Sequence, residues 1–405
     1  MKLPRSWQAK RLGELLDKIG SGITPKGGRE SYLPAGIPLI RSQNVLWGKL
    51  SLDDVAYIGA AQHRRMSGSC VRPHDVLLNV TGASIGRACI APESLGEANV
   101  NQHVCILRPK AALHAKFLLM HLTSEYGQRQ IDLFQAGGNR QGLNYDQIRT
   151  FEVSLPLLPE QRKIAHILGM WDEALEKLDA LIAAKERRKQ ALMQQLLPGK
   201  LRLRGFKSRG WKPTRMAEVL KRVFRPIEIE QSESLSLVSI RRRSGGLFRR
   251  PEVVASEYRT QDLHAIRAGD FLISKRQVVH GAWAIVEPEF DGTLVSKEYA
   301  IFVNHAPEKL DMRFFAWLAK TPRMLRLARV SSTGVHIEKL IFDPDVFLRE
   351  QIRIPSDIKE QAGIAAVLDT ADAELRFLRS KREAVDQQKR GLMQKLLAGK
   401  VRVRT

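Results

Sequence analysis

The sequence predicts an α+β chain: two globular mixed α/β modules joined by two long helices that form an antiparallel coiled coil, the whole being pseudo-two-fold symmetric. Three observations carry this. Residues 160–204 return as residues 360–404, 200 positions on and without insertion, with nineteen identities in 45 positions. Both copies space their apolar residues as a heptad seam. The segment ahead of each copy reads as short β-branched and apolar runs broken by Gly, Pro and Asn. A repeat of two long units indicates pseudo-symmetry, because a solenoid needs three or more short units to bury its core. The chain divides into a module at 1–158, a helix and linker at 159–204, a second module at 205–358, and a second helix and tail at 359–405.

In the first module, strand runs fall at Ile37–Ile40, Asp75–Val80 and Val104–Leu107, followed by a helical stretch from Lys116 to Phe134. The second module offers Leu235–Ile240, Asp270–Ile273 and Tyr299–Val303, with a helical stretch from Met312 to Arg329. The modules align at landmarks: Trp7 with Trp211, Asp75–Leu78 with Asp270–Ile273, and the loop Gly137–Gly142 with Ser331–His336. Between landmarks the residues differ freely, as expected of two readers of different sequences.

The first helix seam is Ile164, Leu168, Trp171, Leu175, Leu178 and Ile182, then Lys185, Lys189, Leu192 and Leu196. The second is Ile364, Leu368, Ala371, Leu375 and Leu378, then Arg382, Val385, Lys389, Leu392 and Leu396. Charged residues on both seams predict that pairing is weakest or most solvated mid-helix. Pro159 suits a helix start and Pro198-Gly199 or Ala398-Gly399 a stop, giving about 38 residues, or on the order of 55 Å, per helix. Each seam needs a partner, and a two-fold relation between the module-plus-helix halves makes the helices antiparallel.

The 66 Lys and Arg against 43 Asp and Glu give a net charge of +23, which argues for a polyanionic partner. The excess is shared between the modules, +7 over residues 1–159 and +8 over 205–359, with +4 on each repeat. Two equivalent modules that each neutralise DNA phosphates would be charged in this way. Cys70, Cys89 and Cys105 form no metal-ligand spacing, and the ten histidines show none either. The odd cysteine count, the lack of an apolar signal core at the N-terminus and the lack of a membrane-length apolar run predict a cytoplasmic protein with no membrane partner.

Base readout requires donor and acceptor side chains on loops that reach a groove. In the first module the candidates are Arg41, Ser42, Gln43 and Asn44, then Thr81, Ser84 and Arg87, and Asn139, Arg140 and Gln141. In the second they are Arg241, Arg242 and Arg243, then Ser274, Lys275, Arg276 and Gln277, and Ser332, Thr333 and His336. Phosphate contact competes with base contact at every one, most strongly at Arg241–Arg243.

The order of module, repeated helix, module and helix, with Leu157-Leu158-Pro159-Glu160-Gln161 opening the first helix and Leu-Met-Gln-x-Leu-Leu-x-Gly-Lys closing both, resembles the specificity subunit of type I restriction-modification enzymes. Gly20-Ser21-Gly22-Ile23-Thr24-Pro25 and Asp75–Arg87 resemble that family's target-recognition domains. The second helix departs from the pattern, since Ser356-Asp357-Ile358-Lys359-Glu360-Gln361 lacks the proline. The resemblance implies that each module reads one half of a split sequence in double-stranded DNA, while the paired helices set the unread spacer and dock two methyltransferase subunits. Restriction subunits would join through that complex. S-adenosylmethionine, Mg²⁺ and ATP are expected on those partners, and none on this chain.

No catalytic residues are expected here. Asp343-Pro344-Asp345 misses the second proline and aromatic of an adenine-methyltransferase motif, and Gly199-Lys200 and Gly399-Lys400 lack the rest of a phosphate loop. An alternative is a self-contained Mg²⁺-dependent nuclease using Asp345, Asp357 and Lys359, although Asp357 at a helix start suits capping. A basic coiled-coil scaffold is the third reading. Cys89 or Cys105 with His103 suggests a nucleophile pair less readily than small thiols buried on strands.

Overall fold

The computed structural model describes residues 4–25, 27, 31–135, 142–206, 210–258, 262–336 and 340–404. The chain folds as two compact units, residues 1–180 with 380–405 and residues 181–379.

In the first unit the aliphatic runs form β1 (Leu16–Ser21), β2 (Val76–Asn79), β3 (Ala88–Ile90) and β4 (Val104–Pro109), an antiparallel sheet in the order β1-β4-β2-β3. All four residues of β2 are buried, because both faces are covered. Val76, Leu78, Cys105 and Leu107 pack towards the helices, and Leu77, Cys89, Val104 and Ile106 pack beneath Ile40 and Val100. A strand covered on both sides reads as an unbroken apolar run rather than an alternating one. The helices α1 (Ala115–Thr123) and α2 (Glu125–Leu133) follow, and then α3 (Leu158–Leu196), which runs on into the second unit.

The second unit repeats this order with β5 (Leu220–Val223), β6 (Phe271–Ser274), β7 (Trp283–Ile285) and β8 (Tyr299–Asn304), arranged β5-β8-β6-β7. The register repeats too: Val76 lies between Ile90 and Leu107, and Phe271 between Ile285 and Phe302. Helices α4 (Met312–Ala319), α5 (Pro322–Val330) and α6 (Ile358–Leu397) complete it, with the end of α6 belonging to the first unit.

Each helical stretch expected before a long helix is in fact two helices. Ser124 Oγ accepts from Gly127 N, and Thr321 Oγ1 accepts from Met324 N, so each residue caps a new helix. Gly127 is needed there, since a Cβ would lie 2.2 Å from the His121 carbonyl. Phe134 and Ser331 each end the second of these helices and are therefore equivalent, so the loop landmark predicted from sequence, which begins at Gly137 and Ser331, is out of register by a few residues.

The Asp75 and Asp270 landmarks anchor the sheets. Asp75 accepts from Arg72 N at 2.7 Å and from Arg108 Nε and Nη2 at 2.8 Å; Asp270 accepts from Arg267 N and from both terminal nitrogens of Arg225. The arginine comes from β4 in one unit and from just beyond β5 in the other, so only the aspartate repeats in sequence.

Within the first unit the second half of α6 lies antiparallel to the first half of α3. Arg402 pairs with Glu160, Lys389 with Asp172 and Arg382 with Asp179. The second unit mirrors the first two of these, Arg202 with Glu360 and Lys189 with Asp372, and has Lys185 with Glu374 in place of the third. Of the seam residues, Ile164, Leu168, Leu175, Leu196, Ile364, Leu368, Leu375, Leu378 and Leu396 are buried. Trp171, Leu178, Ile182, Leu192, Ala371, Val385 and Leu392 are half-buried. The charged seam residues Lys185, Lys189, Arg382 and Lys389 lay their stems along the groove and end on carboxylates of the facing helix.

The helix starts are locked onto the modules by the same bonds twice. Gln161, fully buried, accepts from His114 N at 2.8 Å and donates to the Ala112 and Pro156 carbonyls at 2.9 Å each. Gln361 accepts from Asp311 N at 2.9 Å and donates to the Lys309 and Pro355 carbonyls. Gly199 and Gly399 close the helices with φ of +74° and +67°, and a Cβ would lie 2.9 Å from the Trp211 ring or 2.6 Å from Pro4.

Replacing Gln361 or Gln161 by Ala strands one amide and two carbonyls, and each change is expected to cost roughly 2–4 kcal/mol in denaturant unfolding. His121, enclosed against Tyr126, has its pKa pushed down by burial to about 4. The unfolded chain therefore binds this proton first as pH falls. Stability is expected to decline between about pH 6.5 and 4 by roughly 3 kcal/mol, and His121→Leu should flatten that part of the pH profile.

Candidate nucleic-acid interface

In the first unit two of the expected loops meet at the end of β2. Asn79, fully buried, donates Nδ2 to the Ser42 carbonyl at 2.8 Å and to the Val45 carbonyl at 3.3 Å. This ties the turn of residues 41–44 to the turn of residues 81–87. Much of the first turn is committed to itself: Arg41 Nη2 donates to Asp54 O at 3.1 Å, Gln43 Nε2 to Asp54 Oδ2 at 2.6 Å, and buried Asn44 Nδ2 to Ser51 O at 3.0 Å. Arg87 and Ser84 are half-buried and make no side-chain hydrogen bond among the described residues. Asn139, Arg140 and Gln141 lie outside the described residues; beyond them Leu143 N donates to Val80 O at 2.8 Å.

A polar row that the sequence reading missed borders these loops. Thr81 Oγ1 and His103 Nδ1 are 2.6 Å apart, His103 Nε2 and Gln102 Nε2 are 3.2 Å apart, and Thr24 bonds Gln102. The available signal was Asn101-Gln102-His103 directly ahead of the β4 run. Gly22, from the Gly20–Pro25 motif, passes so close to β4's approach that a Cβ would lie 1.8 Å from the Val100 carbonyl.

In the second unit Arg243 N donates to His280 O at 2.7 Å and Ser244 N to Gly281 O at 2.8 Å, seating the arginine turn against the loop after β6. Arg243 and Ser244 hold φ of +58° and +52°, and Trp283 Nε1 donates to Ser244 Oγ at 3.1 Å. Left-handed non-glycine residues persist only where the surroundings over-determine them. Arg241, Arg242 and Arg243 are all exposed, and of these Arg241 is engaged by Leu247 O and the Phe248 ring. Ser274 is buried at the end of β6, and Lys275, whose pKa burial lowers, is fixed by its backbone to Glu298 and Phe342. Arg276 is exposed, with Nε on Glu298 Oε2 at 2.6 Å, and Gln277 is half-buried. Ser332 Oγ bonds Ala328 O at 2.7 Å, leaving Thr333 and His336 exposed.

Of the carboxylates of the nuclease alternative, Asp357 is a capping group that accepts from Lys359 N at 2.8 Å, and Asp345 lies in the first turn of a short helix, Pro344–Arg349, whose cap is Asp343, accepting from Asp345 N and Val346 N. Among the described residues no group of His, Cys, Asp or Glu is arranged to hold a metal ion. Burial pushes the Cys89 and Cys105 thiols up to about 12, so both stay protonated at neutral pH.

Residues 4–187 match the type I restriction modification DNA specificity domain. The type I restriction enzyme MjaX specificity subunit of Methanocaldococcus jannaschii is 22% identical over 100% of this chain and 96% of its own length. The fold is shared with the type I specificity subunit of M. genitalium, at 16% identity, TM-score 0.58 and 98% coverage of both chains. It is shared too with the HsdS subunit of Thermoanaerobacter tengcongensis, at 18% identity, TM-score 0.55 and 99% coverage of both. Residues 4–187 belong to the type I DNA specificity domain family, and over its whole length the chain is similar to specificity subunits rather than to catalytic ones; nothing in these likenesses supports the nuclease or scaffold alternatives. No helix among the described residues is long and apolar enough to cross a membrane.

Asn79→Ala removes the two bonds that join the loops of the first unit and leaves two carbonyls unpaired. It is expected to cost about 2 kcal/mol in denaturant unfolding and to weaken selection for one half of the recognised sequence while sparing the other.

Proposed function

We propose that this specificity subunit reads a split DNA sequence, one half with each unit, and assembles two methyltransferase subunits on its long helices, restriction subunits joining through them. S-adenosylmethionine, Mg²⁺ and ATP belong to those partners in this reading. The observation that supports it is a frame that repeats with loops that do not. Sheet order, register, the Asp75 and Asp270 anchors and the Gln161 and Gln361 locks recur in both units. The strand-end loops carry Asn79, Thr81 and His103 in one unit and Ser274, Arg276 and Glu298 in the other. Two copies of one scaffold with different hydrogen-bonding edges suit two different half-sites, and the shared excess of positive charge suits phosphate contact on each. Repeated, matching helix surfaces suit two copies of one partner.

The helices in this reading act as the ruler for the unread spacer. Inserting one heptad at matching levels of both helices should change the tolerated spacer length and leave both half-sites intact, as read by mapping modified adenines in cells that express the chain with its methyltransferase. Altered half-sites with an unaltered spacer would remove the helices from that role.

A further inference from the structure

The edge that borders the candidate loops carries one equivalent pair of side chains in each unit. Equivalence is set by the backbone: Val80 N donates to His103 O at 3.0 Å, and Lys275 N donates to Glu298 O at 2.9 Å. Leu143 N then bonds Val80 O, and Phe342 N bonds Lys275 O. Immediately after Val80 and Lys275 stand Thr81 and Arg276, each bonded at 2.6 Å to the side chain of the residue facing it, His103 or Glu298. The next position back differs in the same sense. Gln102 bonds Thr24 and His103 in the first unit, and Lys297 bonds Asp262 at 2.6 Å in the second. One unit therefore builds this edge from hydroxyl, amide and imidazole groups and the other from an arginine, a lysine and carboxylates, on the same backbone.

We propose that this pair is a specificity position: Arg276, aimed by Glu298, reads a guanine in the half-site of the second unit, and Thr81 with His103 sets a different base in the first. Glu298 occupies Arg276 Nε only, and the terminal nitrogens have no partner among the described residues. A guanidinium held by Nε still presents its outer fork, which matches the O6 and N7 acceptors of guanine in the major groove. The arginine side chain is 62% exposed and that of Glu298 45%. An exposed ion pair contributes little to stability, so the geometry is available for recognition. Glu298 acts through Arg276 and is a positioning residue. The inference rests on the DNA-reading function proposed above and names a base within it.

The test is to map modified sequences in cells expressing each variant chain with its methyltransferase subunit. Arg276→Ala should lower discrimination for one guanine of one half-site by about tenfold or more, and Arg276→Lys, which keeps the charge and loses the fork, should lower it comparably. Glu298→Ala should reduce discrimination at that same base, and should add nothing in an Arg276→Ala background. The double change Thr81→Arg with His103→Glu should alter the other half-site only, creating a guanine requirement there. Unchanged selectivity in all of these variants overturns the proposal, and so does uniform weakening across sequences, the mark of a phosphate contact, while the DNA-reading function stands in both cases. A wild-type chain that directs modification to no defined sequence overturns both.

Discussion

The arrangement depends on a buried glutamine next to a buried glutamate at the start of each long helix. An amphipathic helix of this length has no stable position by itself, because its apolar stripe can slide against a module without a directional penalty. Gln161 and Gln361 remove that freedom by taking one amide and one carbonyl from the turn ahead of α1 or α4 and one carbonyl from the chain that leads out of each module. Beside them Glu160 accepts from Arg402 and from Trp7 Nε1 at 3.1 Å, and Glu360 accepts from Arg202. Each glutamate thus draws the far end of the other helix onto the same point, and the closing glycine lets the chain turn there. Because the glutamine, glutamate, arginine and closing glycine all belong to the repeated segment, and each module adds only backbone groups to the glutamine, the lock forms twice. This accounts for identities that a heptad alone would not require.

Above the lock, backbone geometry is preserved more strictly than sequence. His74 and Gly269 occupy the same bend, with φ of +66° and +88° and the same hydrogen bond, to Ala91 O just past β3 and to Val286 O just past β7. A histidine in the left-handed region is strained by about 1–2 kcal/mol, and here the bend that presents Asp75 to Arg108 is kept regardless. In the second unit Arg225, just beyond β5, supplies the same charge.

The helices were legible because a seven-residue period survives any tertiary context, and their ends because Pro, Gly and the Glu-Gln pair are local signals. Strand runs were legible for a related reason: a strand covered on both faces has to be apolar throughout, as Val76–Leu78 and Phe271–Ile273 are. The division of the helical stretches was not, since it hinges on Ser124 and Thr321 being caps and on the close approach at Gly127, neither of which disturbs apolar spacing. For the candidate interface the sequence identified loops but not orientation. Asn44, Ser274 and Arg241 have the chemistry of base readers, but Asn44 turns inward to hold its own turn, Ser274 is buried and Arg241 is engaged by Leu247 O, whereas Gln102, His103 and Glu298 were overlooked because only the strand register brings them beside Thr81 and Arg276.

These two groups of polar residues differ in what a substitution costs. Removing Asp75 would leave Arg108 part-buried without its carboxylate, and breaking such a pair costs several kcal/mol, a large share of the stability of an ordinary domain. Exchanging Arg276 and Glu298 for other side chains disturbs an exposed pair whose loss falls near the ±0.5 kcal/mol typical of surface changes. The fold therefore separates two tasks within a few residues of each strand. The start of β2 or β6 carries a carboxylate that cannot change without unfolding the sheet, and the loop just past its end carries a side chain that can change freely. A scaffold of this kind can adopt a new half-site by substitutions that its own stability does not oppose, and two copies in one chain can do so independently.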